Sequence, residues 1–275
     1  MTKDVNELFP CIDISGTPYE IGFAHGKNYK KQVLHSIETY KQMFKDYSGL
    51  TWDEGKEIAK RYIEPIRSYN PDYLEEMQGV ADGAEVTFED ILALNSRSEI
   101  VLQSGKNLDP EIDGCTSIGI MPSKNPEGHT LVAHNWDWKD VQKEAMVMMN
   151  ITQANGKPTI HLITEAGIIG KTGFNSDGIS LYLNALAVND SPDGIPLHLA
   201  MRGILDSSTL TEAIAAATKF RLGCCANFLI GHSSGEIIDI EISNNDFDVL
   251  FPENGILVHT NHFVSPMRFL KDKIH

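Results

Sequence analysis

The sequence predicts an α+β fold in which helices come first and strands follow. Three observations carry that expectation. Helix-start signals and amphipathic stripes fill the first hundred residues, a polar stretch interrupts the chain at 103–113, and short alternating segments take over after Gly114.

Thr17-Pro18-Tyr19-Glu20 is a capping box with proline at the first helical position. Behind it Val33, Ile37, Tyr40, Phe44 and Tyr47 recur three and four residues apart, which aligns them on one helix face. Thr51-Trp52-Asp53-Glu54 is a second capping box, opening a helix that Pro65 should kink or end. Asn70-Pro71 starts a third helix, and Thr87-Phe88-Glu89-Asp90 a fourth that runs through Ile100 and Val101. These aromatic stripes read as core packing. The run QSGKNLDPEID that follows has the polarity of an exposed linker. Strands are predicted at 116–121, 130–134, 145–151, 159–165, 179–186, 227–231, 236–243 and at 249–251 or 256–260, being short, β-branched or alternating, and punctuated by Gly, Asn and Pro. Only 197–206 and 211–220 interrupt them as helices.

Composition narrows the class. At 275 residues the chain forms one large domain or two modest ones, and roughly 70–75% of its unfolded surface can be buried. Hydrophobic residues at 41% and charged residues at 22% are ordinary globular usage, which excludes a disordered chain. The formal net charge is −15 with no Lys/Arg cluster, so nucleic acid and anionic membrane surfaces are poor partners. Four cysteines with no CxxC pair make neither a disulfide scaffold nor a zinc site. The N-terminus lacks an apolar run of signal length, and a cytoplasmic protein is the expectation.

Two motifs promise more than they deliver. Gly231-His232-Ser233-Ser234-Gly235 matches the G-x-S-x-G of serine hydrolases, but that motif needs a helix after its turn. Here Glu236-Ile237-Ile238-Asp239-Ile240-Glu241-Ile242 follows, an alternating strand, so the motif is the turn of a β-hairpin. His259-Thr260-Asn261-His262 places two histidines three apart with no third ligand set by spacing, and no metal is expected.

Asp113-Gly114-Cys115-Thr116-Ser117 is the stronger signal. Cutting the Gly114–Cys115 bond would put a thiol of pKa roughly 8.5 and an α-amine of pKa roughly 8 on one residue, so that a base sits beside its own nucleophile. Glycine leaves its carbonyl unshielded for attack by Cys115. Three further motifs accompany it: Asn135-Trp136-Asp137-Trp138, the stretch 163–178 (ITEAGIIGKTGFNSDG), and His259-Thr260-Asn261-His262-Phe263. With the opening segment 16–26 (GTPYEIGFAHG), they closely resemble the acyl-coenzyme A:6-aminopenicillanic-acid acyltransferase (isopenicillin-N acyltransferase) family of N-terminal nucleophile (Ntn) hydrolases. The resemblance spans nearly the whole chain, in order.

The resemblance implies a four-layer αββα sandwich preceded by a helical segment. It implies a precursor that cleaves itself at Gly114–Cys115, with 1–114 as a helical pro-segment or α chain and 115–275 as the nucleophile-bearing β chain. The two segments would be partners in one unit. By motif, Cys115 is the nucleophile, Asp137 orients the freed amine or thiol, and Asn261 supplies an oxyanion-hole amide. Asn175 and His134 are expected at the substrate pocket. The substrate class is a small N-acyl amide or acyl thioester, handled through a Cys115 thioester, with no cofactor beyond acyl-coenzyme A as an admissible co-substrate. His134 stands where the bile-salt and penicillin V branch has arginine, which favours the acyltransferase branch. Family chains continue well past the THTNH motif, so this sequence is expected to be truncated at its C-terminus. Two rival readings stay open: a catalytically incomplete family member serving as a binding module, and an amidase of the choloylglycine-hydrolase or penicillin V acylase type.

Overall fold

Thr17, Thr51 and Thr87 each start a helix in the computed structural model, which describes residues 9–102, 114–186, 193–243 and 246–265. Each threonine hydroxyl accepts the backbone N–H three residues on, and the carboxylate of Glu20, Glu54 or Asp90 reaches back to the threonine N–H. The helices are α1 (Pro18–Asn28), α2 (Lys30–Met43), α3 (Trp52–Ala59), α4 (Ile63–Tyr69), α5 (Asp72–Ala84), α6 (Phe88–Asn95) and α7 (Arg97–Leu102). The helix opened at Thr51 is interrupted just ahead of Pro65, as the sequence suggested: α3 ends at Ala59, a 3-10 turn spans Lys60–Tyr62, and Pro65 lies in the first turn of α4. The expected linker at 103–113 lies outside the described residues.

The helical segment is also preceded by a strand the sequence reading passed over. β1 (Cys11–Gly16) pairs in parallel with β4 (Met146–Gln153), Cys11 opposite Met148 and Gly16 opposite Gln153. The other strands are β2 (Gly114–Ile120), β3 (Leu131–Asp137), β5 (Ile160–Glu165), β6 (Thr172–Asn175), β7 (Ile179–Ala185), β8 (Ala226–His232), β9 (Ile237–Ile242), β10 (Phe247–Leu250) and β11 (Ile256–His259). Both of the alternative strands near 250 therefore form. Helices α8 (Leu197–Leu205) and α9 (Leu210–Thr218) stand where they were predicted, and the GHSSG segment is the β8–β9 hairpin turn.

Eight strands make one sheet in the order β1-β4-β5-β6-β7-β8-β9-β10, and β11-β2-β3 make a second. Helices α1, α2 and α8 pack on one face of the large sheet, and the small sheet packs on the other. Strand alternation serves both sides. Phe228, Ile230, Ile238 and Ile240 enter the helix-side core, while Leu229 and Ile237 meet Leu257 between the sheets. The small sheet turns Leu131, Ile256 and Val258 outward, all exposed. The α+β class is thus as predicted, and three of the four expected layers lie among the described residues.

Helices α1 and α5 touch backbone to backbone through four glycines. A Cβ at Gly22 would sit 1.9 Å from the Glu76 carbonyl oxygen, and one at Gly79 would sit 2.2 Å from that of Tyr19. Alanine is the better helix former by about 1 kcal/mol. Yet overpacking against backbone, which no rotamer change relieves, costs roughly 1–3 kcal/mol. Gly22→Ala and Gly79→Ala should therefore lower the midpoint of thermal unfolding, and a raised midpoint would show that the helices can separate freely.

Candidate active site

The site grows from the β2–β3 ladder. Gly114 pairs with Asp137 and Cys115 with Trp136. The pairing puts the Asp137 side chain over Gly114, so that a Cβ at 114 would lie 3.1 Å from Asp137 Oδ2. Asn135 Nδ2 donates to Asp137 Oδ1 at 2.9 Å. Cys115 faces inward, is 5% exposed and is in no disulfide. Its backbone N–H donates to Asn261 Oδ1 at 2.6 Å, and Asn261 Nδ2 donates to the Ala185 carbonyl at 2.9 Å. A donor on one side and an acceptor on the other fix which way this amide points.

A cavity of about 250 Å³ opens beside Cys115. Trp136, Trp138 and Tyr182 form its aromatic wall, and Met146, Ile163 and Leu183 its aliphatic one. Arg97 and Lys171 also border it. Lys171 Nζ lies 3.5 Å from the centre of the Trp136 ring, and the Arg97 guanidinium lies 5.5 Å from that of Trp138. Both cations meet Glu165, which is fully buried. Its carboxylate accepts from Lys171, from the Tyr40 hydroxyl, from Gln142 Nε2 at 2.9 Å and from Arg97 Nη2 at 3.3 Å. Burial alone would raise the Glu165 pKa, but the two cations outweigh it and hold the carboxyl well below the usual range.

Two expected pocket residues differ in their placement. His134 does border the cavity, where its Nε2–H donates to the Leu183 carbonyl at 2.8 Å. Burial pushes this imidazole below its usual range against the pull of that carbonyl, and the charge of Lys171 adds to the push. His134 is therefore a neutral wall residue. Asn175 is not at the cavity. Its Nδ2 donates to the carbonyls of Leu205 and Ser207, and its Oδ1 accepts from the N–H groups of Asp177 and Ile179. With all four positions used, it ties the β6–β7 turn to the end of α8.

The sequence reading did not single out Arg97, Glu165 or Lys171. Glu165 and Lys171 stood in the quoted 163–178 stretch, but no spacing rule marks a buried pair six residues apart across a bend. A larger, open depression of about 680 Å³ lies on the α3 surface among Asp53, Lys56 and Glu57, far in sequence from every candidate residue. Among the described residues no helix is long and apolar enough to cross a membrane.

These features define an α+β protein of two packed sheets with a buried thiol at the head of an inner strand. A family model described as acyl-coenzyme A:6-aminopenicillanic acid acyl-transferase matches residues 123–271. The chain is 34% identical over 253 residues to the acyl-coenzyme A:6-aminopenicillanic-acid-acyltransferase 40 kDa form of Emericella nidulans, covering 91% of this chain and 68% of that protein. It therefore belongs to this acyltransferase family. It is also 31% identical over 130 residues to the beta-alanyl-dopamine/carcinine hydrolase of Drosophila melanogaster, covering 45% of this chain and 33% of the relative. Among solved structures, penicillin V acylase from Agrobacterium tumefaciens aligns at a TM-score of 0.29 and 11% identity, over 55% of this chain and 46% of that one.

A test of the charge cluster follows from its sign. A carboxyl held below its normal range stabilises the fold at pH values above its unfolded pKa of 4.5, and loses that contribution as the pH falls toward the lower folded value. Urea unfolding should show stability dropping below about pH 4.5 in the wild type, with a flatter drop in Glu165→Gln. Removing one partner, as in Lys171→Met, should cost about 3–5 kcal/mol at neutral pH. Unchanged stability in both variants would sink the assignment.

Proposed function

We propose that the protein is a self-processing cysteine acyltransferase or amidohydrolase acting on small N-acyl amides through a Cys115 thioester. The observation that carries it is the 2.6 Å contact from the Cys115 N–H to Asn261 Oδ1, made where Gly114 lies under the Asp137 carboxylate. Family membership supports the reaction class, since the matched family is one of acyl transfer and the Drosophila relative is named as a hydrolase.

In the precursor the Cys115 thiol attacks the Gly114 carbonyl carbon. The peptide C–N bond breaks, its nitrogen takes up a proton, and Gly114 is left as a thioester on Cys115. Water hydrolyses that ester and frees residues 1–114 from a chain beginning at Cys115. The new α-amine then accepts the thiol proton while the sulfur attacks a substrate carbonyl. Asn261 Oδ1 and Asp137 orient the amine. Asn261 also has an oxyanion donor to offer, because its Nδ2 carries two hydrogens and the Ala185 carbonyl takes one. The departing amine leaves a thioester that water, or an acceptor such as coenzyme A or another amine, resolves. The cavity is small for a whole drug-sized ligand, so it suits the acyl group, with the amine portion left outside.

Denaturing gels and N-terminal sequencing test the first step. Wild type should split before Cys115 without added protease, and Cys115→Ala should stay whole and inactive. Asn261→Ala should lower turnover by roughly 10²–10³-fold if its amide is an oxyanion donor. A panel of N-acyl amides with and without coenzyme A then separates hydrolysis from transfer. An active protein that stays uncut would overturn the mechanism.

A further inference from the structure

Asn261 lies in a turn, and a turn residue holds its aim only if both ends of the turn are anchored. The anchor comes from the other sheet. Alternation along β9 sends Ile238, Ile240 and Ile242 to the helix side and Ile237, Asp239 and Glu241 toward the small sheet. There the Glu241 carboxylate accepts the backbone N–H of Val264 at 2.6 Å and that of Ser265 at 2.9 Å. It also meets His259 Nε2 at 2.7 Å, with both side chains fully buried. His259 Nδ1 in turn meets the Thr260 carbonyl at 2.6 Å.

A carbonyl and a carboxylate only accept, so both ring nitrogens carry hydrogen and His259 is an imidazolium. Burial works against that cation, but the Glu241 hydrogen bond and the nearby Asp239 outweigh it and raise its pKa. The stacked ring of His262 lies 6.4 Å away in the same turn. Glu241 thus grips the turn after Asn261 directly, and before Asn261 through His259.

We infer that Glu241 and His259 are a positioning pair that aims Asn261 at Cys115, with Glu241 holding residues 264 and 265 and His259 holding residue 260. The inference rests on the reading of Cys115 and Asn261 just given. It also accounts for an ion pair where apolar residues of the same volume would hold the sheets together equally well. Neither residue touches the reacting atoms.

The test is a double-mutant cycle on the full chain, with turnover of a hydrolysed N-acyl amide normalised to cleaved protein. His259→Gln should lower kcat by up to about 100-fold, the size of effect that a misplacement of ~1 Å produces, with KM nearly unchanged. Combined with Asn261→Ala it should be no slower than Asn261→Ala alone. The acidic limb of the pH profile should also move to lower pH, because the α-amine loses an acceptor that favours its charged form. Glu241→Gln, read in the same cycle, gives the same non-additivity, and a cooperative unfolding transition in each variant shows that it folds. Effects that multiply, with the acidic limb unmoved, overturn the positioning role and leave the Cys115 mechanism standing. An Asn261→Ala variant with full turnover overturns both.

Discussion

One side-chain amide holds together the pieces of chain that make the site. Asn261 follows β11, accepts from the first inward residue of β2 and donates to the last residue of β7. β2 and β11 belong to the small sheet and β7 to the large one, so a single group sets the small sheet against its neighbour at the point where the thiol lies. The adjoining contacts repeat this bridging. Ser117 Oγ donates to Asn184 Oδ1 at 2.6 Å, and Asn184 Nδ2 donates to the His259 carbonyl at 3.2 Å. Buried amides serve here because each offers a donor and an acceptor in fixed directions, which apolar packing does not.

Buried charge does comparable work at the other layer boundaries. Arg202 on α8 is 1% exposed and reaches Glu76 on α5 at 2.7 Å and Asp206 at 3.1 Å. Glu165, at the end of β5, gathers Tyr40 from α2, Arg97 from α7 and Lys171. Such clusters roughly break even against apolar replacements in stability. Their physical contribution is direction, because each fixes the angle and register at which two elements meet. The aromatic wall of the cavity, with Trp136 against Lys171 and Trp138 beside Arg97, is backed by these ion pairs.

What the sequence made legible was local. Two capping boxes, the helix start at Thr87 and the hairpin at 231–235 all depend on contacts within a few residues, and all appear where expected. β1 escaped because its partner lies about 135 residues later and its six residues carry no hairpin signal. Pro65 marked the interruption between α3 and α4, a local effect of a residue that cannot donate to the preceding turn. At the site, Gly114, Cys115, Asp137 and Asn261 were readable as motifs, and the structure brings them together. Asn175 belonged to a motif as well, yet its amide is spent on a turn and a helix end. Glu165 with Arg97, and Glu241 with His259, were unreadable because each pairing joins residues 68 and 18 apart whose types say nothing until the sheets are stacked.

The same geometry explains how one arrangement could serve both the precursor and the processed protein. Before cleavage the Cys115 nitrogen is an amide with one hydrogen, and that hydrogen is committed to Asn261. After cleavage on the proposed path it becomes an amine with a further hydrogen and a lone pair. The β2 ladder beyond it does not depend on the Gly114–Cys115 bond, since Ser117 pairs with His134 on one side and His259 on the other. On the proposed path the nitrogen would therefore remain within reach of Asn261 Oδ1. The Asp137 carboxylate, which lies over Gly114, would be the neighbouring acceptor for the amine formed on that path. On the proposed path, cutting one bond would turn a held donor into a base beside its own thiol, with Asn261 as its anchor before and after.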